Sequence, residues 1–200
     1  LFETMEGLDL AQNVMKDLYE LPIYKRHLDR RKEAQTIMLG FSDGTKDGGY
    51  LKANWEIYET KEQLTKVSDD FGIKVIFFDG RGGPPARGSG KTHDFYASQG
   101  KTIANHQIEL TVQGQTITSV FGNKDQAKYN FEQLLTAGIE NDVFKNAKKD
   151  LTANERKLIE ELAEISYKKY SDLKAHARFV PYLQEMSTLE YYGKTNIGSR

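Results

Sequence analysis

Glycine and arginine are concentrated in residues 80–92, which we name the glycine-arginine segment. It contains five glycines, together with Arg81 and Arg87. Glycine lets backbone N–H groups approach an anion closely. The planar guanidinium groups of arginine match a phosphate or a carboxylate. A purely structural loop would rarely place so many glycines beside arginines, so the segment predicts an anion-binding site for a phosphate or a carboxylate.

The end of this segment, Gly90-Lys91-Thr92, is similar to the end of a nucleotide-binding P-loop. The full P-loop pattern requires a glycine five residues before Gly90, and the sequence has Pro85 there. Proline has no backbone N–H to donate to a phosphate. The sequence therefore argues against an NTPase, a hypothesis that predicts binding of ATP with Mg²⁺.

The segments around this site predict an α/β arrangement. Residues 36–41 form a short apolar run that ends in the turn-forming residues 42–44, and residues 73–78 form a second apolar run. A long helix is predicted between them, roughly over residues 47–71, so the two strands should be parallel. Residues 108–112 are a third strand candidate. From residue 125 onward the pattern is helical, with a capping box at Thr152 and Glu155.

Polar side chains follow each predicted strand where it ends. Glu3 comes at the first end, Asp43 and Lys46 at the second, and Arg81 and Arg87 at the third. Ligands of parallel α/β folds bind at the carboxyl ends of the strands. Mg²⁺ prefers one or two carboxylates together with substrate oxygens and water. This set predicts a site that binds a divalent cation and an anionic substrate together.

Composition excludes several classes of function. The net charge of the 200 residues is −1, so no overall basic field would attract nucleic acid or an anionic membrane. The chain has no cysteine, which excludes disulfides, a thiol nucleophile and cysteine-ligated zinc. No apolar run approaches the roughly 20 residues of a membrane helix. We expect a cytoplasmic protein that binds neither nucleic acid nor membranes. The chain starts without methionine and ends without a polar tail, which suggests a fragment of a longer protein.

Several motifs together resemble one enzyme family. Residues 40–49 look like the G-Y-S-D-S-x-K-D-A-G segment of phosphoenolpyruvate carboxylase, and residues 80–93 resemble its G-R-G-G-x-x-G-R-G-G-x-x-H loop. Leu1-Phe2-Glu3-Thr4 is similar to its P-L-F-E-T strand end. Three shorter motifs fall in the family's order: Val112-Gln113-Gly114, Phe179-Val180-Pro181-Tyr182 and Gly198-Ser199-Arg200. The resemblance spans essentially the whole chain.

The resemblance implies a helix-rich α/β fold, namely part of a (β/α)₈ TIM-type barrel with two to three parallel strands and long helices. Residues 1–200 would be a single fragment, with strands and active-site loops in 1–122 and mainly helices in 123–200. The parent enzyme would convert phosphoenolpyruvate and bicarbonate to oxaloacetate and phosphate, using Mg²⁺ or Mn²⁺. It would be a homotetramer, and the fragment alone would be inactive.

The resemblance also assigns roles to individual residues. Glu3 and Asp43 would be the metal ligands. The catalytic set would comprise Lys46, Arg81, Arg87 and Arg200. The substrate would be bound by Arg81, Gly82, Gly83, Arg87 and Arg200.

The main departure from the family pattern lies just before Gly80, where the family usually has histidine and this sequence has Asp79. A carboxylate cannot replace an imidazole as a cationic partner at neutral pH. Asp79 is therefore a candidate variant catalytic position. It also favours an alternative function, a non-catalytic phosphate-binding module with a degenerated active site.

Overall fold

The structure is a computed structural model that describes residues 1–81, 91–144 and 149–194. Its sheet has three parallel strands in sequential order: β1 (Ala34–Leu39), β2 (Lys74–Asp79) and β3 (Ile108–Leu110). Phe2 extends the sheet through a parallel bridge to Leu39, in which Gly40 N–H donates to the Phe2 carbonyl at 2.9 Å. The predicted parallel strands are confirmed, but a barrel remains an expectation, because these strands do not define a closed one.

Helices make up most of the described chain, in agreement with the helix-rich prediction. In chain order they are α1 (Met5–Glu20), α2 (Pro22–Arg30), α3 (Phe41–Gly48), α4 (Tyr50–Asp70), α5 (Thr92–Ala97), α6 (Gln115–Phe121), α7 (Lys124–Val143), α8 (Ala153–Ala175), α9 (Phe179–Met186) and α10 (Leu189–Tyr192).

The region after β1 differs from the sequence prediction. Residues 42–44 were expected in a turn and residues 47–71 in one helix. Instead, α3 begins at Phe41 and ends at Gly48, and α4 begins at Tyr50. Gly49 separates the two helices with a φ of 79°, a left-handed conformation that strongly favours glycine. Strand β1 therefore leads directly into a short helix, and Asp43 lies in its first turn.

The core lies between the sheet and the helices α1 and α4. Leu8 and Ala11 of α1 and Ile57 and Leu64 of α4 are buried together with Phe77 of β2. Side chains alternate between the two faces of a strand, so Val75, Phe77 and Asp79 share the face of β2 that packs against α4. The last residue of β2 thus directs its side chain into the helix layer.

The helices from α7 onward pack less completely. Only Ala163 is buried in α8, and no residue is buried in α9 or α10. The predicted capping box of Thr152 and Glu155 is present at the start of α8. Apolar side chains such as Leu158 and Ile165 are exposed on this helix. Within the described residues, no helix is both long and apolar enough to cross a membrane.

Candidate active site

The parallel register places the strand ends side by side. Leu39 lies opposite Asp79, Asp79 lies opposite Leu110, and Phe2 bridges to Leu39. The residues that follow these positions include Glu3, Asp43 and Arg81, so they lie at one edge of the sheet. The structure thus places Glu3, Asp43 and Arg81 at the carboxyl edge of the sheet, each after a different strand or bridge.

Glu3 lies across the connection between β1 and α3. A Cβ atom added to Gly40 would lie only 2.8 Å from Glu3 Oε1, and one added to Gly44 would lie 3.2 Å from the Glu3 carbonyl oxygen. Glycine at position 40 therefore leaves the space that the Glu3 carboxylate occupies. The first turn of α3, which carries Asp43, passes beside Glu3.

Asp43 and Lys46 form an exposed ion pair on α3. Lys46 Nζ donates to Asp43 Oδ1 at 2.8 Å, and both side chains are about half exposed, at 49% and 48%. Exposed pairs of this kind contribute roughly 0–1 kcal/mol. A ligand can therefore separate Asp43 from Lys46 at little cost.

Two other elements fix α3 in place. The Met5 N–H of α1 donates to Asp47 Oδ2 at 2.9 Å. At the opposite side, Tyr170 Oη of α8 donates to the Lys46 carbonyl at 3.0 Å, and Lys174 Nζ donates to the Asp47 carbonyl at 2.6 Å. The carbonyl groups at the end of a helix have no partner within the helix, so these donors from α8 satisfy them.

Arg81 is buried to all but 7% and lies on an aromatic surface. Its guanidinium carbon is 3.7 Å from the centroid of the Phe95 ring and 5.3 Å from that of Phe41. Burial lowers the pKa of Arg81, while Tyr96 and Asp79 act in the opposite direction. Arginine stays protonated through such shifts. The site therefore contains a charged and oriented guanidinium that suits an anionic ligand.

Asp79 is fully buried in the helix layer. Lys61 Nζ of α4 lies 2.7 Å from Asp79 Oδ1 and donates to Oδ2 at 2.9 Å, and Tyr96 Oη of α5 donates to Oδ2 at 2.8 Å. Burial lowers the pKa of Lys61, and the adjacent Asp79 opposes that shift. Burial also raises the pKa of the Tyr96 hydroxyl, with Asp79 adding to the effect. The candidate variant catalytic residue thus belongs to a buried polar cluster.

The sequence pattern did not predict three residues of this arrangement as part of the site: Lys61, Phe95 and Tyr96. Lys61 Nζ lies 5.0–5.8 Å from the ring centroids of Phe77, Phe95 and Tyr96. One signal was available. Ile57, Lys61 and Leu64 follow the helical spacing of the buried face of α4, and a lysine on such a face indicates a buried partner.

Four predicted site residues lie outside the described residues. They are Gly82, Gly83 and Arg87 of the glycine-arginine segment, and Arg200. Their predicted roles stay predictions.

The fold and the site define an α/β protein with carboxylates and a buried arginine at the carboxyl edge of a parallel sheet. Comparison with known proteins identifies its family. The sequence profile of the phosphoenolpyruvate carboxylase family matches residues 1–200, and the chain belongs to that family.

Relatives with that name match along the whole chain. A phosphoenolpyruvate carboxylase of Corynebacterium glutamicum is 34% identical over 203 residues, and one of Corynebacterium efficiens is 32% identical over 201 residues. In both cases the match covers all of this chain and 22% of the relative. The chain thus spans about a fifth of the length of these relatives.

Proposed function

We propose that this chain is part of an enzyme that carboxylates phosphoenolpyruvate with bicarbonate to give oxaloacetate and phosphate. Membership of the family supports this function. The observation that carries the proposal is the assembly of Glu3, Asp43 and Arg81 at one edge of the parallel sheet. Metal-assisted phosphoryl transfer uses carboxylates to hold the metal ion, and a cationic side chain near them can bind the phosphate.

Glu3 and Asp43 fit the role of ligands for Mg²⁺ or Mn²⁺. Both offer carboxylate oxygens, which these hard cations prefer. Gly40 leaves space for the Glu3 carboxylate, and the Asp43 carboxylate forms a weak exposed pair with Lys46. A bound cation would supply charge stabilisation for the phosphate and enolate oxygens.

Arg81 would hold the phosphate of the substrate. In the proposed reaction, bicarbonate attacks the phosphoryl group to give carboxyphosphate and the enolate of pyruvate. The enolate then takes up the carboxyl carbon, and phosphate leaves. A guanidinium fixed on Phe95 needs little rearrangement to stabilise negative charge on the transferring group. Lys46 would add a second positive charge at the same edge.

The resemblance extends the site to residues outside the described structure. Gly82, Gly83 and Arg87 would bind the substrate phosphate from the loop that closes over the reaction in the family, and Arg200 would be a further anion-binding residue. Closure of such a loop would keep water from the labile carboxyphosphate. We further propose that the complete enzyme is a cytoplasmic homotetramer and that residues 1–200 alone are inactive.

Replacement of the metal ligand tests the proposal. In the full-length protein, Asp43→Asn should abolish Mg²⁺-dependent oxaloacetate formation, because one of the two carboxylates is lost. Asp17→Asn, an exposed aspartate on α1, is the matched control and should retain activity. Wild-type activity without any divalent cation, or full activity of Asp43→Asn, would contradict the proposed site.

A non-catalytic phosphate-binding module is the second candidate, favoured by Asp79 at the position where the family usually has histidine. The two functions are separated by one comparison on the wild-type full-length protein. A module would bind phosphoenolpyruvate in a calorimetric titration and form no oxaloacetate with bicarbonate. The proposed enzyme would do both.

A further inference from the structure

We propose that the buried Lys61–Asp79 pair positions Arg81, in two ways: Lys61 keeps Asp79 from pairing with Arg81, and Asp79 holds the helix on which Arg81 rests. This inference rests on the proposed function, in which Arg81 binds the substrate phosphate. It gives Asp79 the part of a positioning residue that acts through its neighbours.

The first step concerns competition for the Asp79 carboxylate. Asp79 is two residues from Arg81, and the Arg81 N–H donates to the Asp79 carbonyl at 2.8 Å. The Asp79 carboxylate is near enough to act on the Arg81 side chain, whose pKa it raises, and carboxylates frequently form bidentate pairs with guanidinium groups. Among the described residues, however, Asp79 pairs with Lys61. The charges of Lys61 and Asp79 cancel, and Arg81 keeps its positive charge for an external anion.

The second step concerns α5. This helix has only six residues and is too short to be stable by itself. Tyr96 anchors α5 through its side chain and its backbone. The Tyr96 hydroxyl donates to Asp79 at 2.8 Å, and the Tyr96 carbonyl accepts from Asn141 Nδ2 of α7 at 2.5 Å. Asp79 is therefore one of the groups that fix where α5 lies.

The third step connects α5 to Arg81. Phe95 precedes Tyr96, and the two rings are in edge contact with centroids 5.1 Å apart. Arg81 lies against the ring of Phe95, with its guanidinium carbon 3.7 Å from the ring centroid. Phe41 at the start of α3 makes a perpendicular contact with Phe95 at 5.4 Å. A displacement of Tyr96 would move Phe95, and the guanidinium would lose its support.

Tyr96→Phe in the full-length protein tests this chain of contacts, because it removes only the hydroxyl that bonds to Asp79. The matched control is Tyr19→Phe, which removes another buried hydroxyl, bonded to Ser68 at 3.1 Å in the distant part of the core. The measurement is the dissociation constant of phosphoenolpyruvate with Mg²⁺, determined by calorimetry without bicarbonate. Thermal unfolding midpoints and kcat are measured on the same preparations.

We expect Tyr96→Phe to weaken phosphoenolpyruvate binding about fivefold or more, the size of one lost hydrogen bond. The KM should rise with it, and kcat should also fall, because Arg81 is proposed both to bind the phosphate in the ground state and to stabilise charge on the transferring group. Tyr19→Phe should lower the unfolding midpoint by a similar amount and leave the dissociation constant unchanged. Equal dissociation constants for the two variants would overturn the proposal.

Lys61→Met provides a second, independent arm. It leaves Asp79 without its cation, and Asp79 should then capture Arg81, so the affinity for phosphoenolpyruvate should fall more than tenfold. Lys61→Met combined with Asp79→Asn should recover most of that affinity, because the competing carboxylate is gone and the new side-chain amide oxygen can still accept from Tyr96. An affinity that fails to recover would contradict the competition step. A wild-type protein that does not bind phosphoenolpyruvate would refute the proposed function instead.

Discussion

The candidate site includes two lysine–aspartate pairs, of which one is buried and the other is exposed. The side chains of Lys61 and Asp79 are 2% and 0% exposed, whereas those of Lys46 and Asp43 are 49% and 48% exposed. The nitrogen–oxygen distances are nearly the same, 2.7 Å and 2.8 Å. The two pairs thus join the same chemical groups at nearly the same distance, but they differ in burial and in the additional Tyr96 hydroxyl that donates to Asp79.

The difference in burial determines how strongly each pair is held together. A buried pair is held together strongly, because either charge left alone would be unsolvated. An exposed pair exchanges with water and dissociates easily. In the proposed site, Asp43 could therefore exchange Lys46 for a metal ion, while Asp79 is held by Lys61 and Tyr96. One aspartate is thus a fixed part of the buried structure, and the other is exposed and available for the metal-ligand role proposed for it.

The largest expected effect comes from breaking the buried pair. Lys61→Met should lower the free energy of unfolding by roughly 3–5 kcal/mol, because it breaks a buried ion pair. The buried Asp79 charge can then be compensated only by drawing Arg81 away from Phe95. Lys46→Met, the matched change in the exposed pair, should cost at most about 1 kcal/mol. Urea unfolding can be followed by the fluorescence of Trp55, the single tryptophan, which is 7% exposed.

The double variant Lys61→Met/Asp79→Asn sharpens this result. If the loss arises from the Asp79 charge that no longer has Lys61 as its partner, removing that charge as well should recover much of the stability, since neutral groups of similar size often replace a buried pair without loss. If Lys61→Met costs no more than Lys46→Met, burial does not distinguish the two pairs, and the comparison fails.

The exposed pair and the buried pair also differ in how far the sequence predicts them. Glu3, Asp43 and Arg81 could be placed at one edge because each follows a strand, and parallel strands end together. Lys61 could not be placed there, because a lysine on a long helix is usually solvated. Its burial depends on which face of α4 meets β2.

The helical conformation of α3 could not be predicted from the sequence either. The residues Ser42-Asp43-Gly44 are typical of a turn, and they were predicted as one. They are helical here, supported by contacts from distant parts of the chain: Met5 N–H to Asp47, and Lys174 to the Asp47 carbonyl. Local propensity is a weak guide where long-range partners satisfy the helix ends. The barrel and the functional roles of all the predicted site residues, both the described ones and Gly82, Gly83, Arg87 and Arg200, remain predictions.

An intermediate effect is expected at the contact between α8 and α3. Lys174→Met removes the ammonium group that donates to the carbonyls of Lys46 and Asp47. We expect a loss of about 0.5–1.5 kcal/mol in the free energy of unfolding, the range of an ordinary hydrogen bond, because both contacts lie at a partly exposed helix end where solvent weakens them. A weaker affinity of the full-length protein for Mg²⁺ should accompany it, because α3 carries Asp43.

Lys168→Met is the control for this prediction. Lys168 lies on the same helix and pairs with Asp172 at 2.9 Å, an exposed pair within α8 that does not reach α3. Its loss should change stability by less than about 0.5 kcal/mol and leave Mg²⁺ affinity unchanged. If both variants behave alike, the contacts from α8 do not stabilise α3, and the prediction is wrong.

The smallest effect concerns a third group of charges, whose burial lies between those of the two pairs. Glu59 of α4 faces α8, and its side chain is 31% exposed. Burial raises the pKa of Glu59 to about 7, with Glu160 and Glu56 adding to the shift and Arg156 and Lys52 opposing it. The ordinary value is 4.5, so the folded state binds more protons than the unfolded state between about pH 4.5 and pH 7.

The sign of the effect follows from this proton balance. As pH rises through that window, the folded state loses a proton that the unfolded state has already lost, so Glu59 lowers the stability. Glu59→Gln should therefore raise the free energy of unfolding at pH 8 relative to wild type and change it little at pH 5. The gain should stay below about 1 kcal/mol, because solvent screens a side chain of this exposure. Glu161→Gln, an exposed glutamate of α8 that pairs with Lys157, should show no such difference between the two pH values. Equal stability of wild type and Glu59→Gln at pH 8 would mean that water reaches Glu59 freely, and that this group belongs with the exposed pair.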